Sequence, residues 1–213
     1  MKKIVLIVVF LIVVACVTLL HQQNTVLRGA IVEQGATVLI LGDSLSYGKG
    51  AKAGEDYPSL LQKYTGWNIV NAGVSGNTSA QGLSRLPELL EKHQPKLLIV
   101  ELGGNDLLRH IPEHEVEDNL QAIIQQAKQQ GVPSVLLAIP SASPFKALVG
   151  NLSDDPVYEK VSLETKTPLV TEVFSEVLSD SDLKADQIHP NAQGYQQVAL
   201  KLQSALHDLG YLQ

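Results

Sequence analysis

From Thr37 onward the chain alternates short apolar runs with stretches in which apolar residues recur every three or four positions. The runs Thr37–Leu41, Asn68–Asn71, Leu97–Glu101, Ser134–Ile139 and Pro168–Glu172 predict strands. Their near-continuous apolar character suits strands buried on both faces, and so a parallel sheet covered by helices. Val116, Leu120, Ile123, Ile124 and Ala127 share one helical face, and Gly131-Val132-Pro133 ends that helix. Tyr195, Val198, Ala199, Leu202 and Leu206 do the same for a last helix, with Pro190 expected in its first turn. Ser79–His93 carries the helical pattern too, and Pro87 within it implies a kink or a restart. Ser141–Asp155 reads as a loop too long to be a simple connector.

The N-terminus follows a different pattern. Lys2 and Lys3 precede an apolar run, residues 4–20, broken only by Thr18. Positive charge before such a run stays cytoplasmic, so everything after Leu20 is expected to be exported. Two readings remain open. Val13-Val14-Ala15-Cys16 resembles a bacterial lipobox, which makes Cys16 a lipidation site; alternatively the run is an uncleaved signal-anchor with Cys16 a passive apolar residue. Both give an extracytoplasmic domain tethered to the membrane through its N-terminal segment. The chain divides into residues 1–20 (signal or anchor), 21–36 (spacer) and 37–213 (one domain).

Composition narrows the classes. With 213 residues, 45% hydrophobic and 18% charged, the chain suits one α/β domain with a short appendage. The net charge of −6, with no basic cluster beyond Lys2–Lys3, argues against a nucleic-acid partner. Cys16 is the only cysteine, which excludes an intrachain disulfide and a thiolate zinc cluster.

Candidate chemistry gathers just beyond the carboxyl ends of the expected strands, where ligands bind in open α/β sheets. Gly42-Asp43-Ser44-Leu45 follows the first strand, and Gly42 is expected to let the chain turn sharply and leave the Ser44 hydroxyl uncrowded. Ser75-Gly76-Asn77-Thr78-Ser79 follows the second strand and Gly103-Gly104-Asn105-Asp106 the third. Glycines there let backbone N–H groups approach a substrate, and Asn105 offers a neutral side-chain donor for an oxyanion. Asp186-Gln187-Ile188-His189-Pro190 precedes the last helix. A carboxylate three residues before a histidine can accept its Nδ1–H, fixing the tautomer that leaves Nε2 free to deprotonate a serine.

These four blocks, in this order, resemble those of the SGNH (GDSL-like) hydrolases. The stretch from Gln81-Gly82-Leu83-Ser84-Arg85 to Glu101-Leu102-Gly103-Gly104-Asn105-Asp106 is especially similar to the bacterial multifunctional thioesterase/lysophospholipase/arylesterase branch. The resemblance implies a flavodoxin-like three-layer α/β/α sandwich of about five parallel strands. It implies Ser44 as nucleophile, His189 as base, Asp186 as its orienting partner, and an oxyanion hole from the N–H groups of Ser44 and Gly76 and the Asn105 amide. Asp43 and Asp106 are expected to be structural partners of the loops. The implied substrate is a small ester or acyl lipid, with no metal or organic cofactor. The segment 141–156 departs from that branch; Phe145, Leu148, Val149 and Leu152 are candidates for an acyl pocket there.

Three other readings compete. His110-Ile111-Pro112-Glu113-His114 spells a zinc-peptidase pattern. Pro112 should break it into a loop and a helix starting near Glu113. The same catalytic residues could remove O-acetyl groups from envelope polysaccharide. A non-catalytic envelope-binding module could also keep the fold, though it has no need of Ser44, Asn105, Asp186 and His189 together.

Overall fold

The computed structural model describes residues 29–141 and 151–213. Five parallel strands form one sheet: β1 (Thr37–Gly42), β2 (Asn68–Gly73), β3 (Leu97–Glu101), β4 (Ser134–Leu137) and β5 (Leu169–Val170), in the order β2-β1-β3-β4-β5. This is the doubly wound order expected, with its switch point between β1 and β3. Strands β1, β3 and β4 are the apolar centre, and Val38 to Leu41, Leu97 to Val100 and Val135 to Leu137 have no exposed surface.

Described helices cover both faces. Helices α1 (Ser44–Tyr47) and α2 (Tyr57–Thr65) lie between β1 and β2, and α3 (Ser79–His93) leads to β3. Helices α4 (Gly104–Leu108) and α5 (Glu113–Gln129) lead to β4, α6 (Pro156–Thr165) to β5, and α7 (Val173–Ser179) and α8 (Ala192–Asp208) follow. Helices α3, α5 and α6 pack in series on one side; α2, α8 and α7 do so on the other. The sandwich is therefore three layers deep.

Register explains why distant motifs meet. Gly42 pairs with Gly73 on one side and with Glu101 on the other, so β1, β2 and β3 end level. Their following loops start from one edge.

Several expectations shift in detail. Helix α3 runs through Pro87 as one element. A reciprocal capping box between Thr78 and Gln81 starts it, and Leu86 and Leu90 are buried. Burying two leucines contributes roughly 3–6 kcal/mol, enough to offset an interior proline's cost of about 3 kcal/mol. Pro190 is not in the first turn of α8. Asn191 is the N-cap, accepting from Gly194 N at 3.0 Å, because its carbonyl side chain satisfies a helix-end N–H that proline cannot. The expected fourth strand stops at Leu137, before Ile139-Pro140, and the fifth shrinks to Leu169–Val170. Pro168 has no N–H to give to the ladder, and Glu172 takes a left-handed φ of 61° to open α7.

The last residues of the stretch read as a spacer are held against the domain. Gly29 N donates to Leu209 O, Val32 N to Tyr211 O, and the buried Trp67 indole to Val32 O at 3.0 Å. Among the described residues no helix is long and apolar enough to cross a membrane. Cys16 and the apolar run 4–20 lie outside them.

Candidate active site

Ser44 is the first residue of α1, directly beyond β1. Asp43 caps this helix, accepting Leu45 N at 2.9 Å, so the Ser44 N–H, at a helix start, has no intrahelical acceptor. Gly42 is required for a different reason from the one expected. It has no positive φ; instead a Cβ there would overlap the Ser46 hydroxyl and the Glu101 carboxyl group. At Gly73 a Cβ would overlap the backbone of Ser46 and Tyr47. The nucleophile turn is thus pressed against β2 and β3.

The loop before α8 is closed by its own backbone. Ala185 N donates to His189 O at 2.9 Å and Asn191 N to Leu183 O at 2.8 Å. Tyr195 of α8 ties this region to the turn after α1 by donating to Lys49 O at 2.8 Å. The result places His189 Nε2 2.9 Å from Ser44 Oγ. On the other side of the ring, Nδ1 lies 2.9 and 2.8 Å from the two Asp186 oxygens. Asp186 Oδ1 also accepts the N–H groups of Ile188 and His189. Partial burial acts to raise the Asp186 pKa, but these hydrogen bonds and the histidine outweigh it and hold the carboxyl below its ordinary value. His189 is buried, whereas the Asp186 side chain is about half exposed.

Asn105 faces the same cavity from α4. Its Nδ2 donates to Asp43 Oδ2 at 2.8 Å and to Asn77 O at 3.0 Å, so both amide hydrogens have protein acceptors. Gly76 stands in the turn that follows β2, with φ of 81°. Its carbonyl accepts Arg109 Nη2 at 2.8 Å, and it does not line the cavity. Arg85 of α3 spans two loops, donating to Asn77 Oδ1 at 2.9 Å and to Gly42 O at 2.8 Å. The structure thus brings Ser44, Asn105 and His189 to one cavity, with Asp186 behind the histidine and Gly76 set to one side.

Asp43 and Asp106 have the structural roles expected of them. Asp106 accepts both the N–H and the hydroxyl of Ser79, locking the start of α3 to α4. Beneath Asp43 lies a residue whose role sequence reading did not supply. Glu101, at the end of β3, is fully buried. Burial, with the Asp43 charge beside it, pushes its carboxyl well above the usual carboxylate range, against the pull of its hydrogen bonds. Burial also pushes Asp43 up to about 6. The signal was a single carboxylate closing an otherwise wholly apolar strand.

The cavity has a volume of about 260 Å³, and Leu45, Leu108, Ile139, Leu152, Leu178 and Ile188 form most of its apolar wall. Leu152 is where the acyl-pocket expectation placed it; Phe145, Leu148 and Val149 lie outside the described residues. The ends of the 141–156 segment are fastened by Ser141 N to Ser153 O at 3.0 Å and Asp155 N to Ile139 O at 3.0 Å. His110 also lines the cavity, with φ of 55°, and α5 begins after Pro112 as the proline implies. His110 and His114 therefore sit on different elements.

A buried serine hydrogen-bonded to an imidazole, itself held by a carboxylate, beside an amide-lined apolar cavity, defines a serine hydrolase of the acyl-transfer kind. The chain belongs to the GDSL-like lipase/acylhydrolase family, which matches residues 40–197. It is similar to the thioesterase 1/protease 1/lysophospholipase L1 of Escherichia coli strain K12, at 39% identity over 158 residues, covering 73% of this chain and 76% of that one. It is also similar to the esterase TesA of Pseudomonas aeruginosa, 37% identical over 166 residues, 72% of this chain and 79% of that one. The crystal structure of the psychrotrophic esterase EstA from Pseudoalteromonas sp., inhibited by monoethylphosphonate, matches with a TM-score of 0.71. That match is 28% identical and covers 81% of this chain and 97% of EstA. The chain is a hydrolase of the GDSL type.

Proposed function

We propose that the protein hydrolyses carboxylic esters of acyl groups through an acyl-enzyme on Ser44. The observation that carries this is the unbroken relay from Ser44 Oγ through His189 to Asp186. His189 Nε2 takes the Ser44 proton as Oγ attacks the carbonyl carbon, then passes it to the leaving alkoxide. Water, deprotonated by the same nitrogen, attacks the acyl-enzyme, and the proton returns to Ser44 as the acid leaves. Asp186 holds the ring in the required tautomer. The oxyanion is met by the Ser44 N–H and by Asn105, which shares an amide hydrogen now directed at Asp43 or Asn77; Gly76, outside the cavity wall, would reach it only after its turn moves inward.

The apolar wall supports an acyl chain as the group held. A cavity of about 260 Å³ walled by Leu45, Leu108, Ile139, Leu152, Leu178 and Ile188 favours an acyl chain over acetyl alone, and the binding-module reading leaves the relay without a purpose. The names of the relatives support esters, thioesters or lysophospholipids as substrate classes. The test is hydrolysis of p-nitrophenyl esters from acetyl to palmitoyl by the full chain in detergent. Activity on acyl chains longer than acetyl, abolished by Ser44→Ala, is expected; activity that survives Ser44→Ala would end the reading.

From the sequence pattern we also propose that the enzyme is exported and tethered by residues 1–20, with Cys16 lipidated or passive. Protease added to spheroplasts should digest the membrane-bound enzyme. Protection until lysis would place it inside instead.

A further inference from the structure

Glu101 is the buried ionisable group that the proposed mechanism leaves unused. Its Oε2 accepts Asp43 N at 3.3 Å, Ser46 N at 3.0 Å and the Ser46 hydroxyl at 2.6 Å. The Ser46 hydroxyl gives its one hydrogen to Glu101, so Tyr57 OH, 2.6 Å away, donates to Ser46. Every donor here ends on Oε2. No donor reaches the Glu101 Oε1, which is buried. An ionised carboxylate would spread its charge onto that bare, fully buried oxygen, at a cost burial does not tolerate.

The surroundings do not supply a counter-charge. The titratable groups facing Glu101 are Asp43, Tyr57 from α2, Tyr158 from α6 and Tyr195 from α8, with Asp106 acting on Asp43. Arg85, whose Nη2 lies on Gly42 O, spends its guanidinium on that carbonyl and on Asn77 and forms no ion pair with either carboxyl. Asp43 stands directly beside Glu101, its N–H on Glu101 Oε2, and a charge on Asp43 disfavours one on Glu101. Neighbouring buried carboxyl groups without a counter-charge do not both ionise, so the pair retains a proton.

We propose that Glu101 is a protonated positioning residue: its Oε1–H is donated to Asp43, and the pair carries one negative charge. That charge sits on Asp43, whose Oδ1 accepts Leu45 N and whose Oδ2 holds the Asn105 amide. Glu101 thus acts through Asp43 on Asn105, and through the N–H groups of Asp43 and Ser46 on the turn that carries Ser44. It touches no reacting atom. Without the proton, two adjacent carboxylates would repel and Asp43 would turn away from Asn105. The consequence for turnover rests on the serine-hydrolase reading; the protonation state does not.

The test is Glu101→Gln, which replaces a protonated carboxyl with a neutral amide that likewise has an acceptor on one branch and a donor on the other. Glu101→Leu, which has neither, serves as contrast. In urea titrations the unfolding constant of the wild type, relative to Glu101→Gln, should grow about tenfold per pH unit from pH 5.5 toward 8. The folded wild type keeps a proton that the unfolded chain releases, and the amide does not. Glu101→Gln should keep kcat within about threefold of wild type, while Glu101→Leu, if folded, should lower kcat with KM nearly unchanged. A relative stability that stays flat with pH overturns the proposal, as does a Glu101→Gln protein that fails to fold. These stability outcomes hold even if no ester proves to be a substrate.

Discussion

Asp186 and Glu101 both hold residues that flank or face the same serine, Asp186 through His189 and Glu101 through Asp43 and Ser46, and their surroundings drive them in opposite directions. Asp186 lies about half exposed, accepts two backbone N–H groups and an imidazole, and is held below its ordinary pKa. Glu101 is fully buried, stands beside another carboxyl, and is pushed well above its own. The difference is not one of residue chemistry. Donors that meet both oxygens stabilise the charge at Asp186, whereas at Glu101 they meet one oxygen and leave the other bare. At Asp186 the donors and partial exposure keep the charge that catalysis needs, whereas Glu101, which only holds a loop, can be kept neutral inside.

Substitutions that exchange these environments should separate the two roles. The largest effect is expected for Asp186→Asn, which should lower kcat by on the order of 10³–10⁴ because the ring loses its tautomer control. The same change should leave thermal stability nearly intact at neutral pH. Since the folded pKa of Asp186 is depressed, its contribution to stability is present above roughly pH 4 and lost as pH falls through the folded value. The small Tm gap between wild type and Asp186→Asn, a few degrees at most given the exposure, should therefore close toward pH 3. A gap that widened on acidification would contradict the assignment. The trend is the reverse of that expected for Glu101→Gln, whose advantage grows with rising pH.

Asn105→Ala comes next, with kcat reduced by roughly 10²–10³ if the amide serves the oxyanion. It also removes a donor from Asp43, so the variant joins the two halves of the comparison. Steady-state kinetics on the best p-nitrophenyl ester decides it. Unchanged kcat in a folded Asn105→Ala protein would confine the amide to its contacts with Asp43 and Asn77.

Much of this site could be read before any coordinates. The Asp186-to-His189 spacing is local, so a single loop suffices to join carboxylate and ring. Strands β1 and β3 announced themselves by apolar runs, and the glycine, serine and asparagine blocks stood at their ends. The limits appeared where partners come from afar. Pro87 looked like a break because its local cost is visible in sequence, while the burial of Leu86 and Leu90 that offsets it is not. Gly42 looked like a conformational need and proved to be a need for space. Ser46, Tyr57 and Arg85 gave no sign that they hold the loops around the nucleophile.

The sequence by itself determined the class of fold, the edge at which chemistry gathers and the residues able to perform it, because periodicity, strand ends and short-range spacing are local properties. Tertiary structure alone decided the state of each group there. The level ending of β1, β2 and β3 set which loops share the site. Full burial beside Asp43 turned Glu101 from a strand's last residue into a group that resists losing its proton. Both depend on distances between residues far apart in the chain, and a carboxyl group's charge follows from what surrounds it in space.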